Sequence, residues 1–233
     1  MTLIYQITDT HVPQEEDKLT RKKFVELMDY VRKNPADILV ITGDLPDKDG
    51  NMDIYRWMKS QLPAGQRTYV IPGNHDIDAN LYEAFGEEIC VNSDFFHTIE
   101  LEEIDIVFTN SGSGTFPLQQ LRHLERVRSH SVLFTHYPTR KISDGFMDRT
   151  YPLARLLEVD AAIAKSNISH VFCGHFHTDH KAVGGYDLHV TPSPAFEVNL
   201  QDCELNVSKA RLPIRRIEIN GNITRTEVIY LDS

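Results

Sequence analysis

The chain has 233 residues, enough for one large α/β domain with a sizeable buried core. Its 41% hydrophobic and 25% charged residues are those of an ordinary globular protein, which sets aside disordered and membrane-spanning classes. The formal net charge of -10 repels polyanions and argues against a nucleic-acid partner, yet a small anionic substrate remains open because bound cations would dominate the local field.

Leu3 to Ile7 is the first strand candidate, and Asp9 and His11 follow it directly. The chain opens with neither a basic start nor a long apolar stretch, so no signal peptide is expected. No apolar run approaches transmembrane length, and no membrane partner is expected. The three cysteines, Cys90, Cys173 and Cys203, form neither a Cys-x-x-Cys pair nor an even disulfide framework. Reduced thiols and a cytoplasmic location are the expectation.

Lys18 to Lys33 carries Phe24, Leu27, Met28 and Val31 on one helical face, and Asn34-Pro35 stops it. Ile38 to Ile41 is a continuous apolar run, the mark of a buried parallel strand, and Gly43-Asp44 follows. Ile54 to Leu62 looks helical and ends at Pro63-Ala64-Gly65. Thr68 to Ile71 is the third strand, followed by Gly73-Asn74-His75-Asp76. This βαβαβ layout implies a parallel sheet with helices on its faces.

Further along, Ile104 to Phe108 and Val132 to Phe134 read as strands, with a helix over Leu118 to Val127 between them. His136 follows the second of these strands. Leu153 to Ala164 is another helix, and Val171 to Cys173 is a strand leading into Gly174-His175-Phe176-His177. From Tyr186 the texture changes to short β runs. Arg215 to Ile219 and Ile223 to Tyr230 flank Asn220-Gly221-Asn222, a hairpin signal. With no repeat, linker or low-complexity tract, one domain over residues 1–233 is expected.

Five groups of Asp, Asn and His thus sit at the ends of five apolar runs, and ligands in open α/β sheets gather beyond the carboxyl ends of strands. The groups are expected on one rim. Asp9 and His11, like His175 and His177, are two apart, so in an extended segment both members point the same way. Glycines before Asp44, Asn74 and His175 permit tight turns. Seven candidate ligands, Asp9, His11, Asp44, Asn74, His136, His175 and His177, exceed what one ion takes and suit two ions about 3.5–4 Å apart, bridged by a carboxylate and a hydroxide. Mixed carboxylate, amide and imidazole without thiolate favours Mn, Fe or Zn. Hydrolysis of a small anionic phosphate ester is the chemistry this predicts.

The order Asp-x-His, Gly-Asp, Gly-Asn-His-Asp, His, Gly-His-x-His resembles the calcineurin-like metallophosphoesterases over roughly residues 4 to 200. The resemblance implies a four-layer α/β/β/α sandwich. It implies that Asp9, His11, Asp44 and His177 hold one metal, that Asp44 bridges, and that Asn74, His136 and His175 complete the second. It makes His75 a catalytic group that contacts the substrate phosphate and serves the leaving group rather than a ligand, and Asn74 a further phosphate contact. Asp76 either orients His75 or caps the following helix.

Three more stretches are similar to the class III cyclic-nucleotide phosphodiesterase branch: Ser111 to Leu124, Gly145-Phe-Met147-Asp148, and Thr191-Pro-Ser-Pro-Ala-Phe196. Tyr137 stands where that branch usually has a second histidine. The implied activity is hydrolysis of 3′,5′-cyclic AMP by a metal-bridging hydroxide. Another phosphodiesterase or a broad phosphomonoesterase is the alternative, and a non-catalytic scaffold is the remaining one. The oligomeric state is open. His97, His123, His130, His170 and His189 lack motif spacing and are expected as solvated or core histidines, and Cys173 as core packing.

Overall fold

The computed structural model describes residues 1–16, 18–102 and 104–231. The first half alternates strands and helices: β1 (Thr2–Ile7), α1 (Leu19–Lys33), β2 (Ile38–Thr42), α2 (Met52–Gln61), β3 (Thr68–Ile71), α3 (Asp78–Phe85) and α4 (Glu87–Cys90). In α1 the buried residues include Phe24, Leu27, Met28 and Val31, the spacing of one helical face. Asn51 starts α2 by accepting from the Asp53 and Ile54 amides, which satisfies two otherwise orphaned donors.

The middle holds β4 (His97–Glu100), β5 (Asp105–Phe108), α5 (Leu118–Leu124), β6 (Ser131–Phe134), α6 (Phe146–Thr150), α7 (Leu156–Lys165) and β7 (Ile168–Cys173). Short β8 (His180–Ala182), β9 (Asp187–Val190), β10 (Phe196–Val198) and β11 (Val207–Lys209) precede the hairpin β12 (Pro213–Asn220) and β13 (Ile223–Tyr230). The α7 helix starts three residues later than its apolar pattern suggests, because Arg155 before it is left-handed at φ 57°.

Two large sheets form. One runs β13-β12-β1-β2-β3 and the other β4-β5-β6-β7-β9-β8. β1, β2 and β3 are parallel, and β12 joins β1 antiparallel. In the second sheet β5, β6, β7 and β9 are parallel. The layers follow from side-chain alternation. Ile106, Phe108, Val132, Phe134 and Phe172 enter one apolar cluster with the first sheet and α1 to α4. Their neighbours Val107, Leu133, Val171 and Cys173 enter a second cluster with α5 and α7. The order is helices, sheet, sheet, helices, the four-layer sandwich expected.

The single rim expected from the motifs is two rims facing each other, one from each sheet. Polar side chains stitch the sheets near these ends. Thr191 Oγ1 donates to Gln6 Oε1 at 2.6 Å, and Arg215 Nε donates to Thr191 Oγ1 at 2.7 Å. Within each rim the loops are tied to one another: the amides of Asp9 and Gly174 donate to the carbonyls of Gly43 and His136, each at 3.0 Å. Among the described residues no helix is long and apolar enough to cross a membrane, and the three cysteines are free thiols.

Candidate metal centre

Asp9 and His11 follow β1, Asp44 follows β2, Asn74 and His75 follow β3, His136 follows β6, and His175 and His177 follow β7. The two facing rims bring all of them to one place. Asp9, His11, Asp44 and His177 each offer a ligand atom, all within 4.8 Å of one another, and so do Asp44, His136 and His175. Asp44 belongs to both sets. Asn74 Oδ1 sits 3.2 Å from His136 Nε2, beside the second set.

The backbone achieves this differently from the extended segments expected. Asp9 (φ 51°), His11 (φ 40°), Asp44 (φ 53°), His175 (φ 64°) and His177 (φ 51°) are all left-handed. Each such residue stores strain on the order of 1 kcal/mol or more, which persists only where surrounding structure enforces it. Spacing of two therefore aims both side chains inward through coiled loops rather than through strand pleat. Two motif glycines serve close approach rather than turn freedom. A Cβ on Gly73 would lie 2.2 Å from Asp44 Oδ1, and one on Gly174 would lie 2.1 Å from Asp9 Oδ2.

Three of the four imidazoles are held by their second nitrogen. His136 Nδ1 donates to the Thr42 carbonyl at 2.8 Å and His177 Nδ1 to the Phe196 carbonyl at 3.1 Å, leaving Nε2 of each for the centre. His175 pairs the opposite way, with Nε2 on the Tyr151 carbonyl at 3.1 Å, which leaves Nδ1. A donor bond from the far nitrogen fixes ring angle and tautomer, as metal-binding histidines require. Asp9 accepts from Thr8 Oγ1 at 2.6 Å and from the His175 amide at 2.9 Å, and Asp44 Oδ1 accepts from the His75 amide at 2.9 Å.

The charges fit a cation. Burial, then His177, pushes His11 down to about 4, and burial, then His136, pushes His175 down to about 3, so both are neutral lone-pair donors. Burial alone would raise Asp9, but His177 and His136 outweigh it and hold the carboxyl at about 2. Asp44 is likewise held well below the carboxylate range despite its burial, mainly by His136. Burial works against the charged form of His136, yet Asp44 and then Asp9 raise it to about 9, a protonation that marks how strongly this spot draws positive charge. His11 Nε2 and His177 Nε2 face each other at 3.1 Å beside Asp9 and Asp44, an arrangement that one cation satisfies better than one shared proton.

Asp76 does not hold the His75 ring. Its Oδ2 accepts from the amides of Gly73 at 2.7 Å and Asp44 at 2.8 Å, and its Oδ1 accepts from Tyr55 Oη at 2.7 Å. It staples two ligand loops together, because its carboxylate turns back toward strand ends β2 and β3. The cap of α3 is Ile77, without a side-chain bond, so Asp76 is not the helix cap either. The His75 ring is oriented instead by the Asp47 carbonyl, which accepts from Nδ1 at 2.7 Å and leaves Nε2 free.

Sequence reasoning missed these partners. The carbonyls of Thr42, Asp47, Tyr151 and Phe196 carry no residue signature, since every residue has one. Ser111 was visible only as part of the Ser111 to Leu124 stretch. Its Oγ accepts from the amides of His136 and Tyr137, each at 3.1 Å, and so sets the His136 loop. A cleft of about 380 Å³ opens over the centre, with Met147, Tyr151, Phe196, Val198 and Leu205 forming an apolar wall opposite His75 and Asn74. Tyr137 packs tilted against His175, ring centres 3.8 Å apart.

A family model described as calcineurin-like phosphoesterase matches residues 2–179. The chain is similar to a probable cyclic nucleotide phosphodiesterase of Fibrobacter succinogenes, 28% identical with 97% of this chain and 93% of the relative covered. It is 23% identical to a 3′,5′-cyclic adenosine monophosphate phosphodiesterase of Haemophilus influenzae, over 97% of this chain and 88% of the other. A dimetal phosphatase from Danio rerio has the same fold, with a TM-score of 0.66 at 12% identity and 98% of each chain covered.

Proposed function

The chain belongs to the calcineurin-like phosphoesterase family, metal-dependent hydrolases of phosphoric esters, and from that premise we propose a binuclear phosphodiesterase whose leading substrate is 3′,5′-cyclic AMP. The observation that carries this reading is the Asp44 carboxylate, shared by a set of four ligand residues and a set of three. A carboxylate common to two sets is how two cations are held a few ångströms apart. Asp9, His11, Asp44 and His177 would hold one, and Asp44, Asn74, His136 and His175 the other. The nitrogen and oxygen donors, without thiolate, suit Fe, Mn or Zn. What the bound pair supplies is Lewis acidity at the phosphoryl oxygens and an acidified water for attack at phosphorus.

The chain's own residues supply the rest. Asn74 and His75 lie at the mouth of the centre and contact the phosphate. The Asp47 carbonyl keeps the His75 proton on Nδ1, so Nε2 faces the cleft, where it can take up and deliver a proton to the departing alkoxide. The apolar wall from Met147 to Leu205 gives the organic part of an ester a dry surface, and a nucleoside fits that chemistry better than inorganic phosphate alone. The Fibrobacter and Haemophilus relatives carry names of the same substrate class. Tyr137, in place of the branch's second histidine, favours a different phosphodiester or a phosphomonoester as the second reading. A scaffold without catalysis would be marked by lost ligands, and here every one is present.

The test compares His75→Ala with wild type on 3′,5′-cyclic AMP, bis-p-nitrophenyl phosphate and p-nitrophenyl phosphate. An alkoxide needs acid assistance that p-nitrophenolate does not, and such help is typically worth about 10²–10⁴-fold. The expected outcome is a loss of roughly 10²-fold or more on cyclic AMP, under tenfold on the aryl esters, with metal content unchanged. Equal losses on all three would assign His75 to phosphate binding instead. A metal-loaded wild type that cleaves the aryl diester but not cyclic AMP would replace the leading substrate with the second reading.

A further inference from the structure

Away from the strand-end loops, a pocket of about 250 Å³ opens between the edge of the second sheet and the C-terminal hairpin. His170 of β7 stands opposite Asp187 of β9, and Phe172 stands opposite His189. His170, Asp187 and His189 therefore share one face of adjacent parallel strands, turned toward the first sheet. Their ligand atoms lie within 4.8 Å of one another, the same closeness as in the rim sets. His170 Nδ1 and His189 Nε2 are 3.1 Å apart, and the rim pair His11 and His177 is also 3.1 Å apart.

We propose that His170, Asp187 and His189 form a separate transition-metal site of the Zn²⁺ class, distinct from the centre at the strand ends. Two nitrogens each about 2.05 Å from a tetrahedral ion stand roughly 3.3 Å apart, so a movement of a few tenths of an ångström turns the imidazole pair into a chelate. Two imidazoles and a carboxylate, with water completing four positions, are a donor set that Zn²⁺ accepts. Burial, then Arg215, holds His189 at about 3, and burial holds His170 below its usual value, so both rings offer lone pairs at neutral pH.

The surrounding charge is compatible. The pocket walls carry Asp179, Asp187 and Glu227 against Lys181 and Arg215, one carboxylate in excess. Arg215 is occupied by Asp179 at 2.9 Å. The competitor is Lys181, whose Nζ pairs with Asp187 Oδ2 at 2.7 Å. That lysine is half exposed, so its hold on Asp187 is worth little and a divalent ion can displace or share it.

The test titrates Zn²⁺ into protein already loaded at its rim centre and counts ions by equilibrium dialysis, with thermal unfolding alongside. Only differences between variants are read, so the result stands whatever occupies the rim. Wild type is expected to bind one Zn²⁺ more than His189→Gln and to gain Tm on adding it. His189→Gln is expected to gain none. Lys181→Ala removes the competing cation and should tighten the extra site about three- to fivefold, the scale of an exposed ion pair. This second variant tests the proposal even if His189→Gln folds poorly. Equal ion counts in wild type and His189→Gln, or Zn²⁺ affinity in Lys181→Ala no tighter than in wild type, would overturn the site.

Discussion

The rim centre and the β7–β9 cluster both set two imidazole nitrogens 3.1 Å apart beside a carboxylate, yet the chain reaches the two arrangements by different means. At the rim, five ligand residues are left-handed, and motif glycines clear space for carboxylates that a methyl group would strike. On β7 and β9, ordinary parallel register aligns His170, Asp187 and His189 with none of the three in the left-handed region. Strain confined to one of two similar clusters shows where the fold gives up stability to hold geometry, which is the expected signature of a reaction centre. The strand cluster follows from the sheet itself and makes no such demand.

That contrast is broken or sharpened by substitution, and the largest effect belongs to Gly174→Ala. The added Cβ would sit 2.0 Å from Thr8 Oγ1 and 2.1 Å from Asp9 Oδ2, so the ligand loops must move. Displacement near an ångström costs on the order of 10²-fold in rate. The expected kcat/KM on an aryl diester falls at least that far, with metal lost from the Asp9 set. His189→Gln should leave the same rate within about twofold of wild type. If it lost as much as Gly174→Ala, the two clusters would not be separate.

A smaller effect is expected from Asp76→Asn. The Gly73 and Asp44 amides share Oδ2, which an asparagine oxygen can replace, but its NH2 then faces the Tyr55 hydroxyl and the Leu45 amide, which now donate to Oδ1. Leaving one buried partner unsatisfied costs about 1–3 kcal/mol. Weakened support of ligand loops typically lowers metal affinity about 10–100-fold. Tm and metal affinity should therefore fall together. A variant with unchanged Tm and metal but a selective loss of kcat on alkyl diesters would restore the role of orienting His75.

The ligand identities were legible because Asp, Asn and His each follow an apolar run, and strand ends in α/β sheets are where such residues gather. The helix faces were legible too, as Phe24, Leu27, Met28 and Val31 illustrate. Three things were not. Left-handed Asp9, His11, Asp44, His175 and His177 carry no local mark, since positive φ is ordinarily advertised by glycine. The ring-orienting carbonyls of Thr42, Asp47, Tyr151 and Phe196 are chemically anonymous in a sequence. The two-sheet sandwich came from the motif resemblance, whereas the placement of β12 beside β1 depends on pairing across the chain, as Thr2 opposite Ile219 shows, and periodicity contains no such information. The His170, Asp187 and His189 cluster was hidden for the same reason, because its members meet only through the register of β7 with β9.

The most direct test counts tightly bound metal per chain in three proteins, each also carrying His189→Gln so that the strand cluster contributes nothing. Chelation should abolish activity and Mn²⁺ should restore it in the parent protein, which is predicted to hold two ions. His136→Ala is predicted to keep the ion bound by Asp9, His11, Asp44 and His177 and to lose the other, whereas Asp44→Asn loses both. An Asp44→Asn protein that retains two ions as tightly as its parent, or a parent fully active with no metal, would contradict the shared-carboxylate centre.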